Sequence, residues 1–115
     1  MLIDLAHTSI YIKPGVTDMR KQINGLAGMV VSEMKKDVFN DGLFIFCSRN
    51  RRQLKMLYWD RNGFCLWCKR LEQDKFPWPK DNRTAISLTH EKLKMVLDGI
   101  DFFHAHQRLN YSHVM

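Results

Sequence analysis

Residues 43–71 read LFIFCSRNRRQLKMLYWDRNGFCLWCKRL, and this stretch decides the fold. It contains three apolar runs, LFIFCS (43–48), QLKMLYWD (53–60) and GFCLWCKRL (63–71). Phe, Leu, Trp and Tyr dominate them, as they do in strands buried on a pleated face. The linkers RNRR and DRNG are far too short for a crossover, and Asn62–Gly63 is a strong tight-turn signal. Strands joined this way run antiparallel, so the stretch predicts a three-stranded meander.

Working outward, TSIYIK (8–13) alternates and is β-branched, which predicts a short strand ended by Pro14 and Gly15. TDMR then predicts a helix start, with Thr17 as N-cap and Asp18 at the positive helix end. Met19, Ile23, Leu26, Val30 and Met34 recur on one helical face, and the pattern fades near Lys35–Asp37. Gly25 and Gly28 each weaken such a helix by about 1 kcal/mol relative to alanine. Their expected role is to admit a close backbone neighbour.

On the other side, FPWPKDN (76–82) is a stiff loop, because Pro77 and Pro79 fix their own φ and restrict Phe76 and Trp78. TAISL (84–88) predicts a fourth, short strand. Thr89 caps a second helix, with Leu88 and Leu93 placed for a hydrophobic staple. Leu93, Val96, Leu97 and Ile100 form its apolar face, and Gly99 stands near its end. The expected architecture is α+β: an antiparallel meander of three to four strands with two packing helices. It is a single domain over residues 1–115, with a core at about 8–102 and a C-terminal tail at 103–115.

The chain has 115 residues and 45% hydrophobic side chains, enough for one core without disulfide or metal staples. No apolar run approaches a membrane span, and the N-terminus does not read as a secretory leader. Three cysteines in such a chain suggest reduced thiols and a cytoplasmic protein. The net charge of +6 is unevenly placed. Residues 1–48 carry five basic and five acidic side chains, and residues 84–115 carry three of each. Residues 49–83 carry ten basic and four acidic, so the whole surplus lies there. A concentrated surplus is what a surface for phosphates or an acidic partner would have.

Cys65 and Cys68 form a C-x-x-C pair, with His104 and His106 as further potential ligands. Inside a strand, i and i+3 point to opposite faces, and a second pair is missing, so no metal and no cofactor is expected. The aspartates fall in turns and caps rather than in a converging set, and no Gly-rich phosphate loop or G-x-S-x-G is present. The chain is therefore not read as an enzyme. Arg20 and Lys21 sit in the first turn of the predicted helix, where the macrodipole disfavours cations. Arg20 either pairs with Asp18 or a neighbouring strand, or helps an exposed helix start hold phosphate. The basic hairpin set is Arg49, Arg51, Arg52, Lys55, Arg61, Lys69 and Arg70, interleaved with Tyr58, Trp59, Phe64 and Trp67. Arginine's planar fork suits phosphate.

Four runs together carry a resemblance: TDMRKQINGL (17–26), FIFCSRNRRQLKMLYWDRNGFCLWCKRLE (44–72), FPWP (76–79) and LTHEKLKMVLDGIDF (88–102). In order and spacing they resemble the TnpB, or Orf2-like, accessory proteins of insertion sequence 66 type transposable elements. These are unrelated to the RNA-guided nuclease also called TnpB. The resemblance implies a bacterial accessory factor for DNA transposition, without catalytic residues, acting beside a larger transposase and a co-encoded accessory protein. Cys68 and the histidine-bearing tail depart from the shared pattern. With that setting, the expected function is DNA binding at the element ends through Arg49, Arg51, Arg52, Lys55, Lys69 and Arg70, helped by Arg20 and Lys21. The alternative is an adaptor that docks on the transposase or its co-encoded partner through Phe76, Trp78 and Trp59, without touching DNA.

Overall fold

The computed structural model describes residues 7–80 and 84–98. Ile100 of the expected second-helix face, Gly99 near its end, and the tail at 103–115 with His104 and His106 lie outside the described residues. Five strands and two helices follow in the order β1 (Ile10–Ile12), α1 (Ile23–Ser32), β2 (Leu43–Cys47), β3 (Gln53–Asp60), β4 (Gly63–Arg70), β5 (Ile86–Leu88) and α2 (His90–Leu97). Among the described residues no helix is long and apolar enough to cross a membrane.

The meander is present. β2 pairs antiparallel with β3, with Phe44 opposite Leu57 and Cys47 opposite Leu54. β3 pairs antiparallel with β4 along its whole length, from Gln53 opposite Arg70 to Asp60 opposite Gly63. The turn between them is Arg61–Asn62, with Arg61 at φ 50, so Gly63 begins the strand instead of forming the turn.

The sheet is nevertheless not a simple antiparallel one. Its strand order is β4-β3-β2-β1-β5. β1 lies parallel to β2, Ile10 beside Leu43 and Ile12 beside Ile45, and α1 forms the crossover between them. β5 closes the far edge, antiparallel to β1. Parallel pairing of β1 and β2 places both strand exits at one end of the sheet, where β3 enters and β4 leaves.

Alternation sorts the core onto two faces. Ile10, Ile12, Leu43, Ile45, Cys47, Leu54, Met56 and Tyr58 pack with Leu93 and Val96 of α2 and with Phe76 and Trp78. Phe44, Phe46 and Leu57 pack on the opposite face with Leu26, Met29, Val30 and Met34. β2 is buried at every position, as expected of a central strand covered on both sides. Thr89 caps α2 as predicted, its hydroxyl accepting from the Lys92 amide at 3.2 Å. Leu88 and Leu93 are both buried in one cluster.

The start of α1 differs from the sequence expectation. Gln22, not Thr17, precedes its first turn, and the helix ends at Ser32. The Thr17 amide donates to the Cys47 carbonyl at 2.7 Å, so this residue extends the β1 side along β2 instead of turning into a helix. Arg20 and Lys21 are consequently not first-turn residues. The glycines also behave differently from expectation. A Cβ on Gly25 would meet only the Lys21 side chain, and one on Gly28 would meet nothing within 4 Å.

Candidate functional site

The turn 48–53 is built by its own polar side chains. The Ser48 and Gln53 ends are tied by the Ser48 amide donating to the Gln53 carbonyl at 3.0 Å. The Ser48 hydroxyl accepts from the Arg52 and Gln53 amides and donates to Asn50 Oδ1 at 2.7 Å. Asn50 Oδ1 also accepts from the Arg52 amide at 3.0 Å. Arg51 takes φ 59, a left-handed conformation unusual for a long side chain. Ser and Asn hold such turns by mimicking backbone acceptors. The result is a rigid mount for Arg49, Arg51 and Arg52.

Beside it lies the segment after β1. The Asp18 carboxylate accepts from the Arg20 amide at 2.9 Å and from Nε and Nη2 of the same residue, the shortest at 2.7 Å. Of the two readings of Arg20, pairing with Asp18 is what the structure contains. Hydrogen bonds from the Arg20 side chain and backbone bring the Asp18 carboxyl down to about 2. A lowered carboxyl keeps its partner above its ordinary pKa and releases it only as pH falls through about 2. The clamp is therefore intact at neutral pH.

Between the two segments is an open cleft of about 550 Å³, lined by Val16, Thr17, Asp18, Met19, Arg20, Ser48, Arg49, Asn50 and Gln53. Sequence reading singled out the arginines and missed the rest of this lining. The Ser48–Asn50 spacing around Arg49 was a usable signal, since Ser and Asn so placed are a turn signature.

The other basic residues divide. Lys55 lies on the α1 face, and its Nζ donates to the carbonyls of Met19 and Lys21 at 2.9 and 3.0 Å. It holds the 19–21 segment in place. Lys69 sits on the opposite face and donates to the Leu97 carbonyl at the C-terminal end of α2, at 2.8 Å. Such a cation suits the negative helix end. Arg70 pairs with Glu72 at 2.9 Å, and Arg52 reaches the Glu72 carbonyl. Arg49 and Arg51 have no ion pair or side-chain hydrogen bond among the described residues. The hairpin set does not form one continuous surface. Arg20, Arg49, Arg51, Arg52 and Arg70 share the loop end of the sheet, while Lys55 and Lys69 brace it from within.

Lys55→Met removes the brace at nearly constant volume. Hydrogen bonds to charged groups contribute about 1.5–3 kcal/mol, so urea unfolding should show a loss of that order. Amide exchange at residues 19–22 should accelerate at the same time. Unchanged stability and exchange would mean the two carbonyls are equally well served by water.

The aromatic set needs correction. Phe76 is fully buried and Trp78 is 6% exposed, so neither offers a docking surface. The indole Nε1 of Trp78 donates to the carbonyls of Lys13 and Gly15, at 3.0 and 2.8 Å. The flanking prolines lack amide donors, which lets this loop lie on the core with fewer groups to satisfy. Trp59 is half-buried in an edge-to-face cluster with Phe39 and Phe64. The two strand thiols separate: Cys65 packs toward α2 and Cys68 is exposed on the other face. They cannot share one ion. Burial pushes the third thiol, Cys47, up to about 12.

Comparison with known proteins places the chain in a family. Residues 8–107 match the family described as IS66 Orf2 like protein. Two uncharacterized proteins of Sinorhizobium fredii are similar to it. The protein y4hO is 35% identical over 104 residues, 90% of each chain. The protein y4jC is 31% identical over 85 residues, 74% of this chain and 73% of the relative. No solved structure matches. The chain belongs to the IS66 Orf2 like family.

Proposed function

We propose that this IS66 Orf2 like protein is a non-catalytic accessory factor for transposition of its insertion sequence, and that it binds DNA at the element ends. The loop end of the sheet is the contact surface, with Arg49, Arg51 and Arg52 on phosphates. One observation supports this most directly. Arg49 and Arg51 stand on a turn held by its own side chains, without partners among the described residues, while the nearby carboxylates of Asp18 and Glu72 are already engaged by Arg20 and Arg70. Uncompensated guanidinium groups on a fixed mount suit a polyanion, and contacts of this kind position a protein without reading sequence.

Arg49→Ser, Arg51→Ser and Arg52→Ser combined should weaken binding to terminal DNA in a mobility-shift titration. The slope of log affinity against log salt should fall by roughly 2–3, one counterion per lost phosphate contact. The far-UV spectrum should not change. Equal affinity and slope in the parent and the variant would remove the turn from the interface.

The adaptor reading retains Trp59, whose neighbour Phe39 is 53% exposed. It predicts capture of the transposase or the co-encoded accessory protein in the absence of DNA, and loss of that capture in Phe39→Ser.

A further inference from the structure

The cleft between residues 16–20 and 48–53 is more than a gap between two basic loops. Its volume of about 550 Å³ is that of a small-ligand site. Its lining combines three chemistries. Val16, one of the few large apolar side chains left open at 46%, and Met19 are apolar. Thr17, Ser48, Asn50 and Gln53 are polar. Arg20, Arg49 and Asp18 are charged, the Asp18 carboxylate being held by Arg20. A bare phosphate has no use for the first group, and an apolar peptide has none for the third.

Thr17 adds an independent observation. The residue is 4% exposed, and its hydroxyl is the one buried side-chain polar atom without a hydrogen-bond partner among the described residues. Orphaned buried hydroxyls are uncommon and call for a reason. Ser48, across the cleft, is fully satisfied by its own turn.

The two arginines are not equivalent. Arg20 is held by both carboxylate oxygens of Asp18 through Nε and Nη2, which fixes the plane of its guanidinium and offsets its charge. A second anion placed there would be repelled by Asp18. A neutral planar base would not, and guanidinium planes accept bases by stacking. Arg49 has no partner among the described residues, which leaves its guanidinium open to a phosphate. In duplex DNA a protein loop end reaches phosphates and the base edges in the grooves, but the faces of the bases are stacked inside and cannot lie over a guanidinium. The apolar part of the cleft would then stay unused.

We propose that this cleft is a site for one unpaired nucleotide of DNA, its phosphate on Arg49, its base over the Arg20 guanidinium, and a polar group of the nucleotide on the Thr17 hydroxyl. The assignment rests on the DNA-binding reading above. It makes the protein a reader of single-stranded DNA next to duplex, such as strand ends or opened base pairs.

Fluorescence anisotropy of the full chain tests it with a blunt duplex, the same duplex carrying a short single-stranded overhang, and a Glu-rich peptide as competitor. The overhang should raise affinity about tenfold, as one stacked base does. Arg20→Lys keeps the charge and loses the plane, and Thr17→Val keeps the shape and loses the hydroxyl. Each should bring the ratio of overhang to blunt affinity toward one. Thr17→Val should not lower the thermal midpoint, because it removes an unsatisfied group. Duplex binding with no overhang preference, or a preference that survives both variants, overturns the cleft assignment and leaves the phosphate surface standing. Absence of binding to either DNA overturns both. Displacement of the overhang probe by the peptide reassigns the cleft to acidic peptide and overturns the nucleotide.

Discussion

Gly42→Ala is expected to destabilise the fold by about 3–5 kcal/mol, a large part of what a domain of this size has available. Gly42 takes φ 131, a region side chains rarely enter, and its added Cβ would be driven into the Ser9 carbonyl. That carbonyl is backbone and accepts the Leu43 amide at 2.9 Å, the bond that opens the β1–β2 pairing. The collision cannot be relieved by a side-chain rotation. It requires β1 to move, and β1 is three residues long with a neighbour on each side. Conformational strain alone accounts for about 1–3 kcal/mol, and loss of the parallel pairing adds the rest. Gly28→Ala is the matched control. An added Cβ there meets nothing, and its position inside α1 predicts a gain of about 1 kcal/mol. Urea unfolding followed by far-UV circular dichroism separates the two. Equal midpoints in the parent and Gly42→Ala would show that β1 tolerates displacement.

The parts of the fold legible in the sequence are those whose pairing is local. The Asn62–Gly63 turn signal, one residue late, and the run-turn-run pattern on either side of it placed β2, β3 and β4 within a residue or two, because a short linker leaves antiparallel pairing as the only option. The position of β1 was not legible. Nothing in TSIYIK states which strand it will join, and its parallel pairing with Leu43–Ile45 is made across a helix. The same gap explains Thr17. Its residue type and the acid after it fit an N-cap, but the Cys47 carbonyl captured its amide and delayed the helix to Ile23. For the candidate site, charge localisation pointed to the loop end proposed above as the contact surface. It could not separate Arg49, which is unpaired among the described residues, from Lys55 and Lys69, whose ammonium groups are committed to backbone carbonyls. Charge in a sequence does not reveal whether a partner is already present. Phe76 and Trp78 were misread for a related reason: a Pro-flanked aromatic pair looks the same in sequence whether it covers a core or faces a partner.

Trp78→Ala links stability to the proposed interface and should cost about 3–5 kcal/mol, as large-to-small changes at buried tryptophan do. The indole packs with Phe76 against the α2-side core, so truncation leaves a cavity that rigid neighbours fill only in part. Its nitrogen also ties the bend after β1, through the Lys13 and Gly15 carbonyls, and the Gly15 amide returns a bond to the Pro79 carbonyl at 2.9 Å. This clasp fixes where residues 16–20 leave the sheet, and therefore where one wall of the arginine-lined cleft stands. Trp78→Phe separates the two roles. It retains most of the apolar contact and removes the donor, so its stability loss should be about 1 kcal/mol, the contribution of the hydrogen bonds. If the clasp positions the cleft, the phenylalanine variant should remain folded and still lose DNA affinity, with faster amide exchange at residues 13–17. If Trp78 serves only to fill the core, the phenylalanine variant should match the parent in affinity and exchange, and only the alanine variant should fail in either measurement.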